Sequence, residues 1–145
     1  MDFSKFDKKA DLEGLKKDIE DAGNNEFKEV PHGAYEVNIN KLELGESKKG
    51  DPMVKIWFKI VSGEYEGSLL FMNQVITRGF QVHIVNELLR SLGTDIDICF
   101  DSYSQYGELL ETIFNEIEDN FEYALSYSER KGFDTFEITE VFELD

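Results

Sequence analysis

Asp51-Pro-Met-Val-Lys-Ile-Trp-Phe-Lys-Ile-Val61 alternates without a break: Val54, Ile56, Phe58 and Ile60 share one parity, and Lys55, Trp57 and Lys59 share the other. Successive strand side chains project to opposite faces. The stretch therefore predicts a strand with one apolar face for a core and one face that sets the only tryptophan between two lysines. The second face has the composition of a surface that stacks unpaired bases. An aromatic ring offers sequence-tolerant stacking worth roughly 1–3 kcal/mol per base, and flanking lysines follow the phosphates. The structural alternative is an exposed Trp covered by lysine stems.

Upstream, Pro31-His-Gly-Ala-Tyr35 reads as a turn that launches a first strand over about Ala34 to Leu44. Tyr35, Val37 and Ile39 alternate on one parity, then Leu42 and Leu44 take the other, the phase shift that a β-bulge produces. Such bulges help a long strand curl around a small barrel. The polar loop Gly45 to Pro52 joins it to the second strand as an antiparallel hairpin. Ser62 to Gly67 is a further turn, and Ser68 to Val75 a third strand.

The period then changes. Phe80, Ile84, Leu88 and Leu92, with Val85 and Leu89, fit a 3.6-residue repeat that stops at Gly93 as a C′ residue. Asp101-Ser102 caps a second helix with Tyr103, Tyr106, Leu110, Ile113 and Ile117 inside and Glu108, Glu111 and Glu118 outside. Phe121, Tyr123, Leu125 and Tyr127 alternate as a fourth strand, and Arg130-Lys-Gly132 turns into a fifth, in which Phe136, Ile138, Glu140 and Phe142 are expected on one side. The expected class is mainly β with helices (α+β): a five-stranded OB-fold-like antiparallel barrel, with helices between strands three and four. Residues 1–30 are expected as an N-terminal arm with a short amphipathic helix carrying Leu12, Leu15 and Ile19 on one stripe, and 31–145 as the OB-like domain.

With 145 residues, twelve Phe and 13% aromatic content, the chain has the apolar payload for one folded domain. No apolar run approaches the ~20 residues of a membrane span, and the N-terminus lacks a signal-like apolar stretch, so a cytoplasmic location is expected. The lone Cys99 lies in Ile96 to Phe100, where it reads as a small buried hydrophobe, and His32 and His83 lack zinc-ligand neighbours; neither a metal nor a cofactor is expected. Net charge is −16, which opposes polyanion binding as a whole. Its distribution is uneven: Lys41 to Lys59 holds five Lys against three acids, whereas Ser91 to Glu129 holds ten acids and no Lys or Arg.

Pro31-His-Gly-Ala-Tyr35, Lys49-Gly-Asp-Pro-Met53 and Gly63-Glu-Tyr-Glu-Gly67 together resemble a family of phage-encoded proteins of long-unassigned function found in replication and recombination modules. The resemblance covers roughly Asp11 to Val75 and implies an OB-like single-stranded DNA-binding protein, active in a bacterial host cell. OB-folds bind across strands two and three with the loops joining strands one to two and four to five. The expected interface is therefore Trp57 as base platform and Lys48, Lys49, Lys55, Lys59, Arg130 and Lys131 on phosphates. Tyr65 or Phe71 would supply a second ring, and Arg78 would reach from the end of strand three. Sequence specificity is not expected.

No phosphate-binding P-loop, nucleophile elbow or histidine triad is present, and Asp95, Asp97 and Asp101 do not meet EF-hand spacing; no enzyme is expected. The rival is an acidic protein-interaction module, a host-factor inhibitor or DNA mimic, using Glu108, Glu111, Glu118 and Glu122. Replication or recombination proteins are the further partners considered, the acidic C-terminus being one place to recruit them. A homodimer would pair two cationic faces.

Overall fold

The computed structural model describes residues 30–144, so the expected helix of the N-terminal arm lies outside the described residues. The elements run β1 (Gly33–Glu46), β2 (Pro52–Ile60), β3 (Leu69–Val75), α1 (Gly79–Arg90), α2 (Tyr103–Ile117), β4 (Phe121–Arg130) and β5 (Phe133–Glu143). All strand pairs are antiparallel, and the five strands form one open sheet in the order β3-β2-β1-β4-β5. The class is thus α+β with β dominant. β3 and β5 are the two edges, and α1 packs against both.

The sheet is nonetheless strongly curled. In a flat sheet β2 and β5, separated by β1 and β4, would lie about 14 Å apart, three spacings of roughly 4.8 Å. Instead the rings of Phe58 on β2 and Phe136 on β5 stack with centroids 5.5 Å apart. Curling closes the inner parity over a core of Val54, Ile56, Phe58 and Ile60 from β2, Val37, Ile39 and Leu42 from β1, Leu70 and Met72 from β3, and Tyr123 and Leu125 from β4. Each fully buried side chain of this size contributes roughly 1.5–3 kcal/mol.

The bulge in β1 falls between Ile39 and Lys41. It lets Val37 and Ile39 on one side of it and Leu42 on the other all face the core. A second bulge, between Ala124 and Leu125 in the pairing with β5, puts Thr139 out of register. This corrects the single-sided reading of β5. Ile138 pairs with Leu125 and shares the inner side, whereas Glu140 and Phe142 pair with Ala124 and Glu122 on the outer side.

The helices close the open end of the curl. Val85, Leu88 and Leu89 bury the inner stripe of α1, and Tyr106, Leu110, Ile113 and Ile117 that of α2. Two residues placed in the first stripe and one in the second stay at its margin: Phe80 is 61% exposed, Ile84 43% and Tyr103 43%. α1 ends at Arg90 with Ser91 as C-cap, so Gly93 lies past the C′ position, at φ 79°. Its role is a close approach as much as a turn, because a Cβ there would come within 2.9 Å of Val141 on β5. Ser102 caps α2, accepting from the Gln105 backbone N–H. Three tyrosine hydroxyls tie the layers: Tyr103 donates to the Ile76 carbonyl at 2.9 Å, Tyr106 to Asn86 Oδ1 at 2.5 Å and Tyr123 to the Leu92 carbonyl at 2.9 Å.

Cys99 is exposed, against the expectation of a buried thiol, because the buried positions of its segment are taken by Ile98 and, in part, Phe100. Local desolvation and the Asp101 and Asp97 carboxylates push its thiol pKa up, away from the reactive thiolate.

Candidate nucleic-acid interface

The outer parity of β1, β2 and β3 forms three cross-strand rows. The central row is Lys41, Trp57 and Phe71; Asn38, Lys59 and Leu69 lie on one side of it and Glu43, Lys55 and Asn73 on the other. The bulge decides the central row. Uninterrupted alternation from Asn38 would set Asn40 opposite Trp57, and the extra residue sets Lys41 there instead. One backbone irregularity thus completes the core on the inner face and delivers a cation to the aromatic on the outer face. Lys41 was not among the expected contacts. The signal that could have found it is the same apolar phase shift, since moving Leu42 inward moves Lys41 outward.

Trp57 is half-buried between its row neighbours. The Lys41 ammonium lies 4.1 Å from the centre of the indole, and Phe71 meets Trp57 at 5.1 Å with the ring planes at 89°. Phe71 is the more open ring, at 51% exposure. Lys41 also pairs with Glu43 at 3.2 Å. These restraints are weak: an exposed cation–π contact is worth about 0.5–1 kcal/mol and an exposed ion pair about 0–1 kcal/mol. Stacking of a base, at roughly 1–3 kcal/mol, is enough to displace the ammonium from the indole. The displaced lysine would then be free to meet a phosphate.

Lys55 and Lys59 have no ion pair among the described residues. Glu43 is the single acid in the three rows. On β4 and β5 the sign reverses, with Glu122, Glu137 and Glu140 on the outer parity. The sheet therefore carries a cationic half and an acidic half on one surface.

The remaining expected contacts are more dispersed. Lys48 and Lys49 are exposed in the β1–β2 turn, which is closed by Ser47 and Asp51 and uses Gly50 at φ 86°. Arg130 and Lys131 border the β4–β5 turn, where Lys131 at φ 54° and Gly132 at φ 83° give the two left-handed residues of a type I′ hairpin. β4 pairs with Gly33–Val37 and β2 with Val37–Glu46, so the two basic loops lie at opposite ends of β1. Tyr65 is directed to the inner side, edge-on to Tyr35 at 6.1 Å, and does not join Trp57. Arg78 is the N-cap of α1 and lines a separate cavity. Among the described residues, no cluster of three or more His, Cys, Asp or Glu could hold a metal, and no helix is long and apolar enough to cross a membrane.

The family model described as "Protein of unknown function (DUF669)" matches residues 17–112, which span β1 to β3, α1 and most of α2. The chain belongs to this family. Comparison with curated proteins finds no match.

Proposed function

We propose that this DUF669 member is a single-stranded DNA-binding protein without sequence specificity, and a binding protein rather than an enzyme. The observation that carries the reading is the Lys41–Trp57–Phe71 row flanked by Lys55 and Lys59. Rings for bases and cations for phosphates on one sheet surface are what sequence-tolerant single-strand binding requires. The topology supports it: β1 between β2 and β4, a β4–β5 hairpin, and helices between β3 and β4 follow OB connectivity, with α1 against the two edges that a closed barrel would pair. In this reading Lys48 and Lys49 meet the strand at one end of the groove and Arg130 and Lys131 at the other. The resemblance in the turn motifs adds the setting, a phage replication or recombination module in a bacterial cytoplasm, with the proteins of that module as further partners.

The test is anisotropy of labelled oligo-dT at low and moderate salt, with duplex DNA as control and Trp57→Ala as variant. Selective binding of the single strand that weakens with salt and with loss of Trp57 is the expected result. Absence of binding at low salt would overturn the reading. It would favour the second one, a protein-binding acidic surface, which rests on Glu108, Glu111 and Glu118 standing exposed along the outer side and C-terminal end of α2 and, among the described residues, without ion pairs.

A further inference from the structure

A cavity of about 350 Å³ opens beyond the end of β3, between the first turns of α1 and the Phe100–Tyr103 segment. Its volume is at the small end of the roughly 300–1,000 Å³ found for small-molecule sites. Its chemistry is opposite to that of the chain. Asp and Glu make up 31 of the 145 residues, yet none lines this cavity among the described residues, whereas Arg78, His83 and Arg90 all do.

Three of the polar side chains around it, Arg78, Asn86 and Arg90, offer donors. Arg78 has no ion pair among the described residues. Arg90 is held at the rim by Glu87 at 2.7 Å and by the Ile98 carbonyl at 3.5 Å, which fixes one edge of its guanidinium. Asn86 spends its carbonyl oxygen on the Tyr106 hydroxyl, so its amide N–H groups remain to donate. The facing wall is aromatic: Phe100 packs edge-on to Tyr103 at 5.1 Å, and the Tyr103 hydroxyl is anchored on the Ile76 carbonyl. Donors for an anion on one side and rings for a planar group on the other describe a nucleotide, with the charge-assisted bonds going to its phosphate.

We propose that this cavity binds a nucleotide, its phosphate on Arg78, Asn86 and Arg90 and its base against Tyr103 and Phe100. Two sources share that chemistry, a free mononucleotide and one unit of a bound strand. The second is within reach: Ile76 follows Phe71 by five residues, about 17 Å of strand, and OB-type surfaces cover about 4–16 nucleotides. The site stands on the cavity's own lining and not on the Trp57 surface.

The test is a ¹⁵N NMR titration of the full chain with dTMP, thymidine and inorganic phosphate, repeated on Arg78→Ala and Trp57→Ala. Expected are amide shifts confined to Ile76–Arg90 and Phe100–Tyr103 with dTMP and weaker binding of thymidine and of phosphate alone. Arg78→Ala should lower dTMP affinity, read at the cavity amides, about tenfold or more, the size of a lost charge-assisted hydrogen bond, and the shifts at the cavity amides should persist in Trp57→Ala, since Trp57 does not line the cavity. Shifts elsewhere or none, phosphate binding as tightly as dTMP, or an unaltered affinity in Arg78→Ala would each overturn the proposal. Oligo-dT binding by the same variants separates the sources. A loss in Arg78→Ala assigns the cavity to the strand, and an effect on dTMP alone assigns it to a free nucleotide. Failure to bind oligo-dT with the dTMP shifts intact would remove the single-strand reading and leave the cavity standing.

Discussion

Replacing Phe71 by alanine separates stacking from folding more cleanly than replacing Trp57, because Phe71 is 51% exposed on edge strand β3. Its contact with Trp57 is one edge-to-face pair at 5.1 Å, worth about 0.5–1.5 kcal/mol beyond the area it covers. Phe71→Ala should therefore stay folded, with the unfolding midpoint in urea lowered modestly. Loss of one stacked base is worth roughly 1–3 kcal/mol, or about 5- to 150-fold in Kd. The lysines are untouched, so the salt dependence should be preserved. If Lys41, Lys55 and Lys59 each meet one phosphate, log K falls with log salt at a slope near −2, about 0.7 per contact on a single strand, or roughly 20-fold between 50 and 200 mM. The assay is oligo-dT anisotropy across that range, paired with emission of Trp57, the only tryptophan. Lys41→Met is the complement: it keeps the ring, uncovers the indole and lowers the slope by about 0.7. A folded Phe71→Ala protein that binds within twofold of wild type would refute the stacking assignment, and a Lys41→Met slope equal to wild type would refute displacement of that lysine onto a phosphate.

Gly93→Ala should destabilise the fold by about 1–2 kcal/mol from its left-handed backbone alone, and by more because the added Cβ would press on Val141; Gly50→Ala, with φ 86° and open space, should lose only the first part. Equal urea midpoints for the two variants would show that the approach of α1 to β5 is not tight. Burial pushes the Tyr106 phenol up to about 12, with Arg90 pulling back against it, and burial raises Tyr123 as well. The native state thus holds these protons more tightly than the unfolded chain, so this contribution is fully present below about pH 10 and is lost as pH rises through about 12. Tyr106→Phe should flatten that alkaline decline and also lower stability at neutral pH by about 1–3 kcal/mol, since Asn86 Oδ1 loses its donor; pH-resolved urea melts that keep the wild-type slope would contradict it.

The strands were legible because their faces differ in chemistry. Val54, Ile56, Phe58 and Ile60 are all buried, and the phase shift between Ile39 and Leu42 marks a real bulge. The second bulge, at Thr139, was hidden because β5 is an edge strand with Glu137, Thr139 and Glu140 exposed, and mixed polar sequence carries no parity signal. Helix periodicity overcounted at the margins: Phe80, Ile84 and Tyr103 satisfy the repeat, yet the sheet edges under α1 and β1 under α2 cover only the centre of each stripe. Of the interface, Lys55, Trp57, Lys59 and Phe71 came together through alternation and hairpin register. The placement of Tyr65 and the separation of the two basic loops were not legible, since both depend on which stretch of the long β1 pairs with β2 and which with β4.

A net charge of −16 does not decide whether such a surface meets a polyanion. What decides is the distance over which the acids act. Lys55 and Lys59 on β2 are three strand spacings from Glu137 and Glu140 on β5, about 14 Å along the sheet before curvature, and the curl turns the two halves further apart in direction. At physiological ionic strength the screening length is about 8 Å, so the acidic half is largely silent at the lysine rows, whereas Glu43, beside Lys41 and Lys55, is not. Near 0.01 M the length grows to about 30 Å and the whole chain's charge reaches the groove. The favourable loss of salt screening between lysine and phosphate is then opposed by repulsion from the rest of the protein. If the proposed surface does meet a strand, it would do so through its local sign at cellular salt, and Glu137 and Glu140 on β5 with Glu108 and Glu111 on α2 would remain free to repel a second polyanion or to meet a basic partner without competing for the strand.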